Sequence, residues 1–420
     1  MFVTNQCALR GSIVRKYFCI ACVVILAACS KSSGDSLPLL TGGPSGSATA
    51  LRVSQLGTLP ARRVAPDSYK LLYIFKGMPD GAYPLKRLLN VNGVLYGTAN
   101  WGGQPNRQSG GEQTGTVFKW SPSGGERTVH IFQDFPDGRN PVAGLINVKG
   151  ELYGTTEYGG GPKHRGTVYK VSASGDESVL YRFSGPRDGM DPEGGLIYVN
   201  GLFYGTTVFG GLAVGTVYSV SLSGTHKVLY RFKNGLDGAE PSGNLIYRNG
   251  LFYSTAGGGD PYHPNGVVFK MTPSGVENII YRFKGEPDGS GPLAGLTDVN
   301  GEFYGTTGFG GTKLGGTVYK IDTSGQESVV YSLPRNSIPQ GGLIYVNGAL
   351  YGTTTYGGTA NHGTVFKVTL DGKGTIVYSF HGPSDGRNPT GGLIDVNGRL
   401  YGTTSRGGAT NNGTLFSVSP

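Results

Sequence analysis

The residues able to do chemistry are few, and they recur at regular places. An Asp-Gly pair stands at Asp80, Asp137, Asp188, Asp237, Asp288 and Asp385. A ring of such carboxylates would attract cations or a basic partner. Metal loops, however, gather several oxygen ligands at close spacing, and these six are dispersed. Near-identical copies fit better an aspartate that accepts backbone N–H bonds inside its own turn. Ahead of a recurring Gly-Gly stand Trp101, Tyr158, Phe209, Phe309, Tyr356 and Arg406. Flat apolar rings can stack on sugar faces, although rings that merely cover a neighbouring backbone would read the same way. Two loops stand apart: residues 100–114, which are longer and carry Arg107, and a stretch holding Tyr262 and His263. His164, His263 and His362 fall in loops of alternate repeats, too far apart to share a metal unless those loops converge. The candidate ligand-binding rim is therefore Trp101, Arg107, Tyr158, His164, Phe209, Tyr262, His263, Phe309, Tyr356 and Arg406. No catalytic residue, metal site or cofactor is assigned, because the sequence has no G-x-S-x-G, H-E-x-x-H, phosphate loop or dinucleotide fingerprint.

The elements that must position these residues follow from a repeat. Leu/Phe-Tyr-Gly/Ser-Thr recurs with its tyrosine at Tyr96, Tyr153, Tyr204, Tyr253, Tyr304, Tyr351 and Tyr401, at spacings of 57, 51, 49, 51, 47 and 50 residues. One repeat shows four strand-like runs. Gly195 to Val199 (strand a) is followed by Asn200-Gly201, a pair that tolerates the positive φ of a tight hairpin turn. Leu202 to Thr207 (b), Gly215 to Val220 (c) and Lys227 to Phe232 (d) follow, with a Ser223-Gly224 turn between c and d. A four-stranded unit of about 50 residues matches one propeller blade.

The phase of the repeat decides the architecture. The chain opens on a d strand, Lys70 to Phe75, and ends on a c strand, Gly413 to Val418. In a ring the leading segment completes the last blade and closes the seam, whereas an open solenoid would need polar caps instead. Closure also removes most exposed sheet edges. The expected fold is all-β, a seven-bladed β-propeller over residues 68–420. Its strand b glycines (Gly97, Gly154, Gly205, Gly305, Gly352, Gly402) are expected to let adjacent backbones approach near the axis.

The unit GGLIYVNGxLYGTTxxGGxxxxGTVFKVxxSGxExVLYxFxGxxDGxxP resembles the GloVer repeat of bacterial surface and exported proteins, over about residues 69–420. The resemblance implies an extracytoplasmic, propeller-like array joined to varied anchors, and it implies no activity.

Composition agrees. Glycine supplies 75 residues, tyrosine 25 and phenylalanine 18, while charged residues are only 15% of the chain. These types suit pleated strands and tight turns. The net charge of +9 divides into +3 for residues 1–28, +2 for 29–67 and +4 for the remaining 353, with both signs interspersed. No basic face exists to displace nucleic-acid counterions. Arg10, Arg15 and Lys16 precede an apolar run ending in Leu26-Ala27-Ala28-Cys29, the pattern of a secretory signal. That ending resembles the lipobox of bacterial lipoproteins, in which Cys29 would carry the lipid, with Ser30 favouring the outer membrane. The other cysteines, Cys7, Cys19 and Cys22, precede the cut, so no disulfide framework is expected. Residues 1–28 are thus read as a signal peptide and 29–67 as a lipidated, flexible tether. The functional expectation is a monomeric cell-envelope binding or scaffold module. Its b–c and d–a loop face would engage a glycan, a cell-wall polymer or an envelope protein. The alternative is an enzyme on a polysaccharide or metabolite, which requires a charged pair in the central pocket.

Overall fold

A computed structural model describes residues 68–106, 111–211, 214–233, 235–258 and 265–420. Among them there is no helix, and seven four-stranded antiparallel sheets form the blades of a propeller. Blade 1 comprises Leu89–Val91, Val94–Ala99, Thr116–Ser121 and Gly125–Ile131 as strands a to d, and the same order recurs to blade 7. Blade 7 takes Ile394–Val396, Arg399–Thr404 and Thr414–Val418 from the C-terminal end and Tyr69–Ile74 from the N-terminal end. Tyr69 pairs with Val418, Leu71 with Phe416 and Ile74 with Thr414. The ring is closed by hydrogen bonds between the two ends of the described chain.

Packing explains why strand b does not alternate polar with apolar residues. Each blade is covered on both faces, so each interface needs its own apolar set. Leu95 joins Phe75, Leu415, Phe118 and Trp120 in a cluster between blades 7 and 1. Its neighbour Tyr96 faces the other way and joins Leu152, Tyr169 and Val171 between blades 1 and 2. Seven such clusters occur, one at each interface, including the seam. Complete burial of side chains of this size contributes roughly 1.5–3 kcal/mol each. Stability therefore resides between blades, and an isolated blade would expose both faces.

The Gly-Thr-Thr motif of strand b carries two polar duties. In five blades the first threonine reaches the next blade, as where Thr98 donates to the carbonyl of Ala143 at 3.1 Å, Thr155 to Pro192 and Thr255 to Ala294 at 2.9 Å, and Thr403 across the seam to Pro84. Thr206 and Thr306 have no hydroxyl partner among the described residues. The second pairs with the threonine opposite it on strand c, as in Thr156–Thr167 and Thr207–Thr216, both 2.8 Å. Blade 4 replaces both partners, placing Ala256 opposite Val267. Loss of both polar groups together leaves no buried orphan.

The glycine of strand b works differently from the expectation. A Cβ at Gly154 would come within 2.5 Å of the Tyr169 hydroxyl, and Gly205, Gly305, Gly352 and Gly402 face Tyr218, Tyr319, Phe366 and Phe416 in the same way. These aromatics lie directly opposite the glycines on strand c. The space is taken by a ring of the same blade, and close approach of adjacent backbones is not its purpose.

Candidate functional site

The b–c loops and d–a links form one face of the ring. Short antiparallel bridges join them: Ala82 to Trp101, Arg139 to Tyr158, Met190 to Phe209, Ser290 to Phe309 and Arg387 to Arg406. In blade 6 the Tyr356 N–H donates to the carbonyl of Ser337 at 3.0 Å. Six of the predicted rim positions, Trp101, Tyr158, Phe209, Phe309, Tyr356 and Arg406, are thus structurally equivalent, each held by the link that precedes its own strand a. Their side chains are half-buried, except Tyr356, which is 42% exposed. Arg107, Tyr262, His263 and Cys29 lie outside the described residues.

At the seam the rim residues converge. The ring of Tyr83, in the first d–a link, lies 4.8 Å from that of Trp101. The guanidinium of Arg406, from blade 7, sits over the Tyr83 ring at 5.1 Å. Tyr83 has a left-handed backbone (φ 57°) and is fixed by bonds from its N–H to Asn412 and from the Asn100 N–H to its carbonyl. One cation and two rings from three separate loops therefore form a half-exposed cluster. A second pair lies one interface on, with Arg139 over the Tyr158 ring at 5.0 Å. There His164 approaches the buried Asp134 at 3.3 Å. The seam cluster was partly legible, through Trp101 and Arg406, but Tyr83 was not singled out.

The six Asp-Gly aspartates serve their turns, as expected. Asp80 and Asp288 each accept an N–H four residues earlier at 2.9 Å, and Asp188, Asp237 and Asp385 accept two. Each also meets the aromatic residue of strand d seven positions before it. Tyr73, Tyr181, Tyr230, Tyr281 and Tyr378 donate their hydroxyls to Asp80, Asp188, Asp237, Asp288 and Asp385 at 2.6–2.9 Å. The next blade adds a third group from the start of its own strand d. This is Glu126 beside Tyr73, Glu277 beside Tyr230 and Glu327 beside Tyr281. Burial first, and the neighbouring aspartates next or after a compensating hydrogen bond, push these three glutamates up to about 7. The sequence reading missed these interblade stations, since their third member lies almost a full repeat downstream.

A model of the Gloeobacter/Verrucomicrobia repeat matches residues 45–263, 104–313 and 255–420. The chain belongs to this repeat family. No curated protein sequence matches it. Among solved structures it is similar to a protein from Bacteroides uniformis described as a 6-phosphogluconolactonase (14% identity, TM-score 0.49, 78% of this chain and 97% of that one). It is also similar to a protein described as a gluconolactonase (12%, TM-score 0.42, 84% and 92%). The acylaminoacyl peptidase of Pyrococcus horikoshii matches at 10% identity and TM-score 0.47, covering 80% of this chain and 51% of the peptidase. Likeness this distant carries no information about chemistry.

One further charged group in this member of the repeat family lies where the links approach strand a. Lys86 occupies a position that is Ala143, Gly194, Gly243, Ala294, Gly341 and Gly391 in the other repeats. Burial lowers the affinity of its amine for a proton, against the opposing charges of Glu193 and Glu157. Glu157 itself is only 2% exposed. The sequence signal was a lysine at a small-residue position, and it was not read.

Proposed function

We propose that this protein is a binding module of the cell envelope, anchored through a lipid at Cys29, whose loop face takes a glycan by ring stacking. The observation that carries the reading is the Tyr83–Trp101–Arg406 cluster, in which two half-exposed rings and a guanidinium from three loops meet at the seam. Rings offer a flat apolar surface to the C–H face of a sugar, and the guanidinium adds donors for hydroxyl or carboxylate groups. The scaffold suits such a role, because loop residues vary freely on a frame whose stability lies elsewhere. The test is retention of the full chain on immobilised envelope polysaccharides, with elution by soluble fragments. Trp101→Ala is expected to weaken binding about 10-fold, the worth of one good aromatic contact. Absence of retention on any such polymer, or equal retention of the variant, would remove the reading.

A second reading, an enzyme acting on a polysaccharide or metabolite, draws on Lys86 beside Glu157 and Glu193. A desolvated lysine next to carboxylates can act as base or nucleophile. Turnover abolished by Lys86→Met but unaffected by Trp101→Ala would favour this reading over the first.

A further inference from the structure

One interblade station differs from the rest in a way that changes its chemistry. Between blades 1 and 2 the strand d residue is His130 where six other stations have tyrosine (Tyr73, Tyr181, Tyr230, Tyr281, Tyr331, Tyr378). Its partners are Asp137, from the d–a link, and Glu177, which opens strand d of blade 2. His130 Nε2 lies 2.9 Å from Asp137 Oδ2, and the two side chains are only 14% and 6% exposed. The second Asp137 oxygen accepts the N–H of Gln133 at 3.0 Å, which fixes the carboxylate in place. Glu177 Oε1 is buried and has no hydrogen-bond partner among the described residues. The ligand atoms of the three side chains all lie within 4.8 Å of one another.

We propose that His130, Asp137 and Glu177 bind a divalent transition-metal ion, of which zinc is the probe, and that this ion clips blade 1 to blade 2. The argument rests on donor chemistry. A phenol donates its proton to the aspartate and presents a poor ligand, whereas the imidazole nitrogen at the same place presents a lone pair. One nitrogen and two carboxylate oxygens form a set that zinc accepts, with a water in the fourth position. Calcium would require about twice as many oxygens. Zinc ligands lie about 2.0–2.2 Å from the ion and hence about 3.4 Å from one another, so the His130–Asp137 pair must open slightly while Glu177 swings inward by on the order of 1 Å. Its unpartnered oxygen leaves it free of a hydrogen bond that would oppose the movement. The competing arrangement has no metal: the His130 ring shares a hydrogen bond with Asp137, and Arg182 partly balances Glu177.

The experiment is calorimetric titration of the full chain with zinc chloride near neutral pH, alongside His130→Tyr and Glu177→Gln. The tyrosine variant restores the arrangement found at other stations and keeps a donor for Asp137, so folding should survive. Glu177→Gln keeps the size of the side chain and removes its charge, which gives a second handle. Wild type should take up one ion per chain, and its melting temperature should rise on the order of 5 °C with zinc at roughly 100 times its dissociation constant. Either variant should weaken binding by at least ~100-fold, more than loss of an outer-shell partner costs. Absence of uptake by wild type overturns the proposal. So does equal uptake and equal thermal shift in wild type and both variants, which would place the ion on surface histidines such as His164 or His381.

Discussion

Two neighbouring interfaces solve the same packing problem with opposite chemistry. Between blades 4 and 5, Tyr281 donates to Asp288 at 2.9 Å, Asp288 also accepts the N–H of Lys284, and Glu327 completes the station. Between blades 5 and 6 the equivalent tyrosine is Tyr331, the link from Pro334 to Gln340 has no aspartate, and Gly374 stands where Glu327 would. A Cβ at Gly374 would overlap the ring of Tyr331. The aspartate and the glutamate have therefore disappeared together, and the ring has moved into the vacated space. The comparison teaches that the glutamate is not left behind where the aspartate turn is lost, and that a ring against a bare backbone then fills the interface. The aspartate does stand without the glutamate at two other stations, where His226 and Tyr69 stack on Tyr181 and Tyr378 instead, so that no buried acid is left without its aspartate turn.

The most damaging way to break this comparison is to restore one acid alone. Gly374→Glu would drive a side chain into the Tyr331 ring and leave a carboxylate with no aspartate turn beside it. Overpacking together with a poorly paired buried charge should destabilise the fold by about 3 kcal/mol, read from the urea midpoint. A loss under about 1 kcal/mol would mean that Tyr331 swings aside freely, and the two interfaces would not be alternatives at all.

The comparison sharpens when the acids are titrated. Glu126, Glu277 and Glu327 are raised from an ordinary 4.5 to about 7 by burial first, with Asp80, Asp237 and Asp288 adding to the rise. A carboxyl whose folded value is raised holds its proton more tightly when folded. Its contribution to stability is therefore complete below about 4.5 and disappears as pH climbs through about 7. His226, which takes the glutamate's place beside Tyr181, works the other way. Burial lowers it to about 4, so it costs stability as pH falls below 6.5. The triple variant Glu126→Gln, Glu277→Gln, Glu327→Gln leaves that histidine term in place. Its melting temperature should fall less steeply than wild type between pH about 5 and about 8. Parallel curves would show that the glutamates ionise normally.

The ring itself was readable because it depends on local, repeated features. Asn-Gly turns have their predicted positive φ at Asn92 and Asn200, at 52° and 49°, and the displaced strand Tyr69–Ile74 pairs where closure required. The Asp-Gly turns were readable for the same reason, since aspartate and N–H lie four residues apart. What escaped depends on contacts between blades. Glu327 meets Tyr281 only after the chain has traversed nearly a whole blade, and neither residue is unusual in its own strand. The joint loss of an aspartate and of the glutamate at position 374 was a readable signal of that contact. So was the departure of His130 from tyrosine. Trp101, Tyr158, Phe209, Phe309, Tyr356 and Arg406 do share one face, but the convergence of Trp101 and Arg406 at the seam rests on Tyr83, whose left-handed backbone no motif announced.

The subtlest form of the comparison sets two tyrosines of the same interface against each other. Tyr281 gives its hydroxyl to Asp288, whereas Tyr319, fully buried against Phe283, has a hydroxyl with no partner among the described residues. Tyr281→Phe removes a hydrogen bond to a charged group and leaves Asp288 short of a donor, so it should cost about 1.5 kcal/mol. Tyr319→Phe removes only an orphaned hydroxyl and should be neutral or stabilising by up to about 1 kcal/mol. The repeat already makes this second exchange, with Phe118, Phe269, Phe366 and Phe416 at the equivalent place. Urea unfolding of the two single variants measures the difference between a polar group that belongs to a complete set and one that does not. Equal losses in both would mean that the Tyr319 hydroxyl has an unseen partner, and that the strand c tyrosines belong to the stations after all.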